Sequence, residues 1–287
     1  MQKIIVGGVP EHFNLPWHYA LENNLFKNKN IHLKWRDFPD GTGAMAKALR
    51  EEKIDLAVIL TEGIIKDIIA GNPSKIIKIY VETPLLWGIH VGANAPMHNI
   101  KDLTRATAAI SRFGSGSHLM ARVMAKSNKL NEENLSYQII ENLDGAIKTL
   151  PNNDNLFFMW EYFTTKPYVD NGIFKRIDTV ATPWPCFVIA VRDKVLENNT
   201  KTVKTIIEII NKVLKKFNQL SFREELIPIF AKNYNLPQKD VKHWLNITHW
   251  NTNINIAKGK SEKILKELLR YDIIENKIPL HKLIYNL

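Results

Sequence analysis

Short β-branched runs alternate with helical patterns through the first half of the chain. "KIIVGG" and "IHLKWRDF" read as strands. Between them "LPWHYALENNLF" reads as a helix, with Trp17, Ala20, Leu21 and Leu25 near one face. "GTGAMAKALREEK" reads as a helix opening on two glycines, "DLAVIL" as a buried strand, and "TEGIIKDIIAGN" as a helix closed by Gly71 and Pro73. "IIKIYV" and "WGIHVG" follow as strands. This βαβαβα rhythm predicts a mainly parallel sheet.

The rhythm then restarts. A strand is expected over 106–111, a helix from about Ser115 to Ser127, and strands at "LSYQII", "NLFFMW" and "FKRIDT", with helices at "DGAIKTL" and "EYFTTKPYVDNG" between them. "TPWPCFVIAV" places two prolines before a buried run, a stiff connection and a candidate crossing strand between domains. From Lys194 onward nearly everything reads as helix, and neither a short repeat nor a low-complexity segment interrupts it.

In open parallel α/β sheets, ligands gather beyond the carboxyl ends of the strands. The connections that fall there are "GVPEHF", "PDGTGA", "TEG", "SRFGSGSH", "ENLDG" and "WEYF". Several open a helix, where free amides and the helix dipole favour an anion or a carbonyl oxygen. "SRFGSGSH" lacks the Lys-Ser/Thr pair of a phosphate loop and the order of a nucleophile elbow. It reads either as a helix cap or as a cap that also cradles a ligand oxygen. "GTGA" approaches a dinucleotide fingerprint but follows the second strand rather than the first, so no nicotinamide or flavin cofactor is expected. The nine histidines are scattered and no metal-binding motif is present, so no metal is expected.

Composition narrows the classes further. With 287 residues, 45% hydrophobic and 24% charged, the chain is an ordinary globular one, long enough for two domains. Its net charge of +10 is diffuse, with no basic stripe interleaved with aromatics, and no nucleic-acid partner is expected. The single Cys186 excludes an internal disulfide. "MQKIIVGGVP" is too short in apolar length for a secretory signal, and no run is long enough to insert in a membrane. The chain as written is therefore expected to be cytoplasmic; one trimmed of its leader would read the same and be periplasmic.

Together, "GVPEHFNLPWHYALENNLF", "GTGAMAKALREEKIDLAVILTEG", "DLTRATAAISRFGSGSHLMA", "FFMWEYFTTKPYVDNG" and "PWPCFVIAVRDKVLENN" resemble the type 2 periplasmic binding-protein superfamily. Within it they are similar to the nitrate/sulfonate/taurine and thiamine-pyrimidine-precursor-related branch, in a cytosol-type subgroup. The resemblance implies an α/β, two-domain Venus-flytrap fold, each domain a mixed, mainly parallel sheet flanked by helices. Domain I would comprise residues 1–92 and 186–287, and domain II residues 93–185, with a ligand in the cleft between them and closure by a hinge.

The resemblance implies a small-molecule binder for an anionic or heteroaromatic metabolite. The expected contacts are Glu11 and His12; Gly41, Thr42 and Gly43; Thr61 and Glu62; Ser111, Ser115, Gly116 and Ser117; Trp160 and Glu161; and Trp184. The carboxylates suit amine or ring N–H groups better than a pure anion. An ABC-transporter permease is an expected partner only for an exported form. The alternative is a cytosolic enzyme on the same fold, related to thiamine-pyrimidine or menaquinone-pathway proteins. There His12 would act as acid or base with Glu62 or Glu161. The thiamine-pyrimidine enzymes' cysteine-rich motif is absent, so that activity is not carried over.

Overall fold

Strand β1 (Gln2–Gly8) buries Ile4 and Val6 on alternate positions and anchors the first sheet. It pairs in parallel with β2 (Ile31–Asp37) and β3 (Leu56–Leu60). Parallel neighbours need crossovers, and α1 (Leu15–Glu22) and α2 (Thr42–Arg50) provide them. The first of these helices stops short of the 15–26 run that the apolar spacing predicts. Asn24 takes a left-handed φ of 55°, which ends it. Helix α3 (Thr61–Ile69) then leads to β4 (Ser74–Val81).

The computed structural model describes residues 2–287 and divides into two units: Met1–Thr83 with Trp184–Leu287, and Pro84–Pro183. The returning chain adds β10 (Phe187–Arg192) to the first unit, antiparallel between β3 and β4. The resulting order is β2-β1-β3-β10-β4. Helix α7 (Asp193–Phe217) buries Val203, Ile206, Ile207, Ile210, Val213, Leu214 and Phe217, the i, i+3, i+4, i+7 stripe of an amphipathic helix. Each such side chain is worth about 1.5–3 kcal/mol on burial. Helices α8 (Leu220–Tyr234), α9 (Gln238–Ile247), α10 (Lys258–Arg270) and α11 (Leu280–Leu283) follow. Between and after them the chain returns to β4. Val81 bridges to Trp250 and Ile76 to Ile284, so the exposed edge of the sheet is covered.

The second unit repeats the plan with β5 (Leu86–Gly92), β6 (Thr107–Ile110), α4 (Gly116–Ser127), β7 (Ser136–Ile139), α5 (Leu143–Thr149), β8 (Leu156–Glu161), α6 (Tyr162–Asp170) and β9 (Phe174–Ala181). Its order is β7-β6-β8-β5-β9, with β5 antiparallel to β8 and β9. In each sheet four strands run one way. The fifth, β5 or β10, is the strand formed directly after the chain passes from one unit to the other. Ala109, Ile140, Ala146, Leu150, Leu156, Phe158 and Phe174 form a core cluster of this unit.

The boundary expected near residue 92 would leave "WGIHVG" in the first domain. The strand instead hydrogen-bonds into the second sheet, and the units divide at Thr83/Pro84 and Pro183/Trp184.

Candidate functional site

In the first unit the loops after β1, β2 and β3 lie at the carboxyl edge of adjacent strands. Gly41 precedes α2 with φ 72°, a conformation that favours glycine, so Thr42, Gly43 and Ala44 open the helix without a side-chain cap. Thr42 packs on the start of α3: a methyl built on Gly63 would come within 2.3 Å of Thr42 Cγ2. Thr42 Oγ1 is shut from solvent with no hydrogen-bond partner. Asn14, wholly buried, ties its Nδ2 to the Val9 carbonyl at 2.8 Å and leaves Oδ1 without a partner.

Glu62 sits in the first turn of α3, 1% exposed. Its Oε2 accepts the Trp184 indole N–H at 2.8 Å. Burial pushes its carboxyl up to about 7, against the pull of its hydrogen bonds. Beside it, Thr61 donates to the Pro185 carbonyl at 2.6 Å, and its N–H bonds the Cys186 carbonyl. Thus Thr61 and Glu62 both grip the proline-flanked connection 183–186.

The charge at this edge is unexpected for a chain of net +10. Loops 8–14, 37–43 and 60–63 carry Glu11, Asp37, Asp40 and Glu62 and no lysine or arginine. The preceding Arg36 lies over the Phe38 ring, 5.0 Å from its centroid. A second anion about 5 Å from ionised Glu62 would be repelled by about 3 kcal/mol at an effective dielectric of 20. A helix N-terminus returns at most about 2 kcal/mol. Above about pH 7, where Glu62 is ionised, the edge therefore favours donors over oxyanions.

His12 lies elsewhere than a loop histidine would. It is 2% exposed, stacked on Phe13 at 4.6 Å and edge-on to Trp244 at 4.3 Å. Burial lowers its pKa to about 3, so the ring is neutral at pH 7. Glu11 is half-buried at the surface of the same loop.

In the second unit, "SRFGSGSH" folds on itself. Gly114 takes φ 78°, and Ser115 caps α4 by accepting the His118 N–H. Ser117 Oγ accepts the Ser111 N–H at 2.9 Å and lies 3.0 Å from Ser115 Oγ. Ser111, Ser115 and Ser117 are all buried, and Gly116 begins the helix. The hydroxyls thus shape the turn, while Arg112 and Phe113 are exposed.

Glu161, at the end of β8, caps α6 through Oε2, accepting from the Thr164 N–H and hydroxyl at 2.7 and 2.8 Å. Trp160 is half-buried, stacked on Phe158 at 5.2 Å and edge-on to Trp87 at 6.4 Å. Trp87 Nε1 is buried with no hydrogen-bond partner. Behind this edge His90, fully buried, donates from Nδ1 to the Phe158 carbonyl at 3.2 Å. Its Nε2 faces Thr165 Oγ1 at 2.9 Å and Arg176 Nε at 3.2 Å. Arg176 also donates to the Tyr162 carbonyl at 2.6 Å and lies over the Tyr162 ring, fixing the first turn of α6.

Asn14, Trp87, His90 and Arg176 escape sequence reading. A strand-interior histidine or a lone asparagine carries no local signal of its partners. Among the described residues no cluster of three or more histidine, cysteine, aspartate or glutamate side chains is arranged to hold a metal. No helix among them is long and apolar enough to cross a membrane.

Two α/β units of the same strand order, joined by two crossings, with polar loops at the carboxyl edges of their sheets, make up the type 2 periplasmic-binding-protein fold. Residues 87–180, about a third of the chain, match the family model described as Ca3427-like PBP. The Candida albicans CA3427 gene product, described as defining a new family with the generic periplasmic binding protein fold, superposes with a TM-score of 0.91 at 26% identity, over 100% of this chain and 98% of that one. The alkanesulfonate-binding protein SsuA from Xanthomonas axonopodis pv. citri, bound to MOPS, gives 0.79 at 14% identity over 100% and 99%. The periplasmic nitrate-binding protein NrtA from Synechocystis PCC 6803 gives 0.69 at 15% over 96% and 82%. No curated protein sequence matches the chain.

Proposed function

We propose that this chain is a solute-binding protein, and that the loops at the carboxyl edges of its sheets are the surfaces that contact a small metabolite. The observation that carries this reading is the set of buried polar atoms without partners at those edges: Asn14 Oδ1 and Thr42 Oγ1 in the first unit and Trp87 Nε1 in the second. A buried polar group left unpaired costs about 1–3 kcal/mol, and a ligand group reaching these loops would complete their hydrogen bonding. The fold shared with sulfonate- and nitrate-binding proteins supports the same reading. Membership of the Ca3427-like family is part of this proposal.

An enzyme built on His12 has weaker support. The ring is enclosed by Phe13 and Trp244, and burial keeps it neutral down to about pH 3. That is far from the value a general base needs near neutrality.

Native mass spectrometry of the protein after incubation with a metabolite extract tests the proposal. The expected result is a discrete noncovalent adduct released chemically unchanged on denaturation. A released product that differs from the molecule taken up would make the protein an enzyme, and no adduct from any extract would overturn solute binding.

A further inference from the structure

The side chains on the loops of the first unit offer acceptors, with the Thr42 hydroxyl able to donate as well. Three oxygen-bearing groups stand on the connections after three adjacent strands: Asn14 Oδ1 after β1, Thr42 Oγ1 after β2 and the Glu62 carboxyl after β3. Asn14 is fully buried and Thr42 Oγ1 is closed to solvent, and neither oxygen has a protein donor. The Glu62 carboxyl is held by the Trp184 N–H and by its own backbone N–H. No lysine or arginine stands on these three loops to neutralise a carboxylate or to draw in an oxyanion. Helix α3 would ordinarily offer its amino end to an anion, but its own Glu62 already places a carboxyl there.

We infer that the group recognised by this unit is an N–H donor, the amine, amidine or ring N–H of a nitrogenous metabolite, with Glu62, Thr42 and Asn14 as its acceptors. The inference rests on the solute-binding reading and narrows it. It separates this chain from the relatives whose named ligands are a sulfonate and nitrate. An amidine or amine satisfies a carboxylate by charge-assisted hydrogen bonds, and a flat nitrogenous ring can add a second donor for a neutral oxygen. The sulfonate group itself, like nitrate, carries acceptors alone and would leave Asn14 Oδ1 unpaired.

The test is a thermal-shift titration of the full chain with two defined sets. The donor set is benzamidine, 2-aminopyrimidine, agmatine and histamine; the oxyanion set is nitrate, ethanesulfonate, benzoate and sulfate. A bound ligand raises the melting temperature by mass action. Stabilisation by at least one donor, and by no oxyanion, is expected. Glu62→Gln should weaken that donor about tenfold or more, as loss of a charged hydrogen-bond partner does. Thr42→Val leaves the Glu62–Trp184 bond untouched and should also weaken it, so the test survives if the Glu62 variant folds poorly. Stabilisation by oxyanions but not donors overturns the donor assignment and leaves solute binding standing. So does a donor bound equally well by both variants. Failure of every compound in both sets overturns the donor assignment, and joined to an adduct-free native mass spectrum it overturns solute binding as well.

Discussion

Trp184 donates its indole N–H to Glu62 Oε2 at 2.8 Å, both side chains buried. The bond ties the first residue after the chain returns from the second unit to the first turn of α3. Trp184→Phe removes the donor and leaves a buried carboxyl with less solvation. It should cost about 1–3 kcal/mol in urea unfolding. Replacing both residues, Trp184→Phe with Glu62→Leu, should recover much of that loss, because the carboxyl that needed the donor is gone. A double variant no more stable than Trp184→Phe alone would show that the indole contributes by packing rather than by its N–H.

Glu62 also gives stability a pH dependence. Its folded pKa lies above the unfolded value, moving from 4.5 to about 7. The native state therefore binds its proton more tightly, and this contribution is full below about pH 4.5 and lost as pH rises to about 7. Glu62→Gln should flatten that part of the profile, gaining up to about 3 kcal/mol relative to the parent above pH 7. Unfolding midpoints from pH 5 to 8 measure it; parallel profiles for the two proteins would contradict it.

Lys78 is wholly buried in β4, and its Nζ donates to the Asn253 carbonyl at 2.5 Å. Burial lowers its pKa from 10.5 to about 7. The native state favours the neutral amine, so stability from this group rises as pH climbs from about 7 towards 10.5. Lys78→Met keeps the length of the side chain and removes the charge. It should stabilise the first unit by a few kcal/mol at pH 6–7, and the gain should close near pH 10. Thermal unfolding of both proteins across that range checks the convergence.

Acid should loosen the second unit through His90. Burial first, and Arg176 next, depress its pKa from 6.5 to about 3. The unfolded chain takes up a proton between those values and the native chain does not, so stability falls as pH drops from about 6.5 to 3. Nitrogen-15 spectra of the imidazole should show Nδ1 protonated and Nε2 bare at pH 6. His90→Gln should reduce the acid sensitivity of amide exchange in β5, β8 and α6.

The serine turn gives a contrast of magnitudes. Ser117→Ala strands the buried Ser111 N–H and should cost about 1–3 kcal/mol. Ser115→Ala removes a helix cap with long contacts of 3.4 Å to the Arg112 and His118 N–H groups, and should cost about 1 kcal/mol. Equal costs would mean that the two hydroxyls substitute for each other.

Periodicity exposed most elements because their signals are local: alternating burial in β2, the apolar stripe of α7, the glycines that open α2 and close α3. What it missed is nonlocal. "WGIHVG" looks like any buried strand, and only pairing with β8 and β9 assigns it to the second sheet. The return of Trp250 and Ile284 to the edge of β4 is carried by single bridges with no pattern to read. His12 reads as a loop residue until Trp244 and Tyr234, more than two hundred residues on, close over it. Glu62 was legible because a carboxylate directly after "LAVIL" is out of place; Asn14 was not, because its orphan oxygen is a property of geometry alone.

The most direct test of solute binding at these loops is amide hydrogen exchange with and without the stabilising compound. Binding at these loops should slow exchange mainly in residues 8–14, 41–46 and 60–64 of the first unit, with 111–118 or 160–164 of the second. Protection confined to the lysine-rimmed groove between α10 and residues 277–281, or spread evenly over the chain, would contradict it.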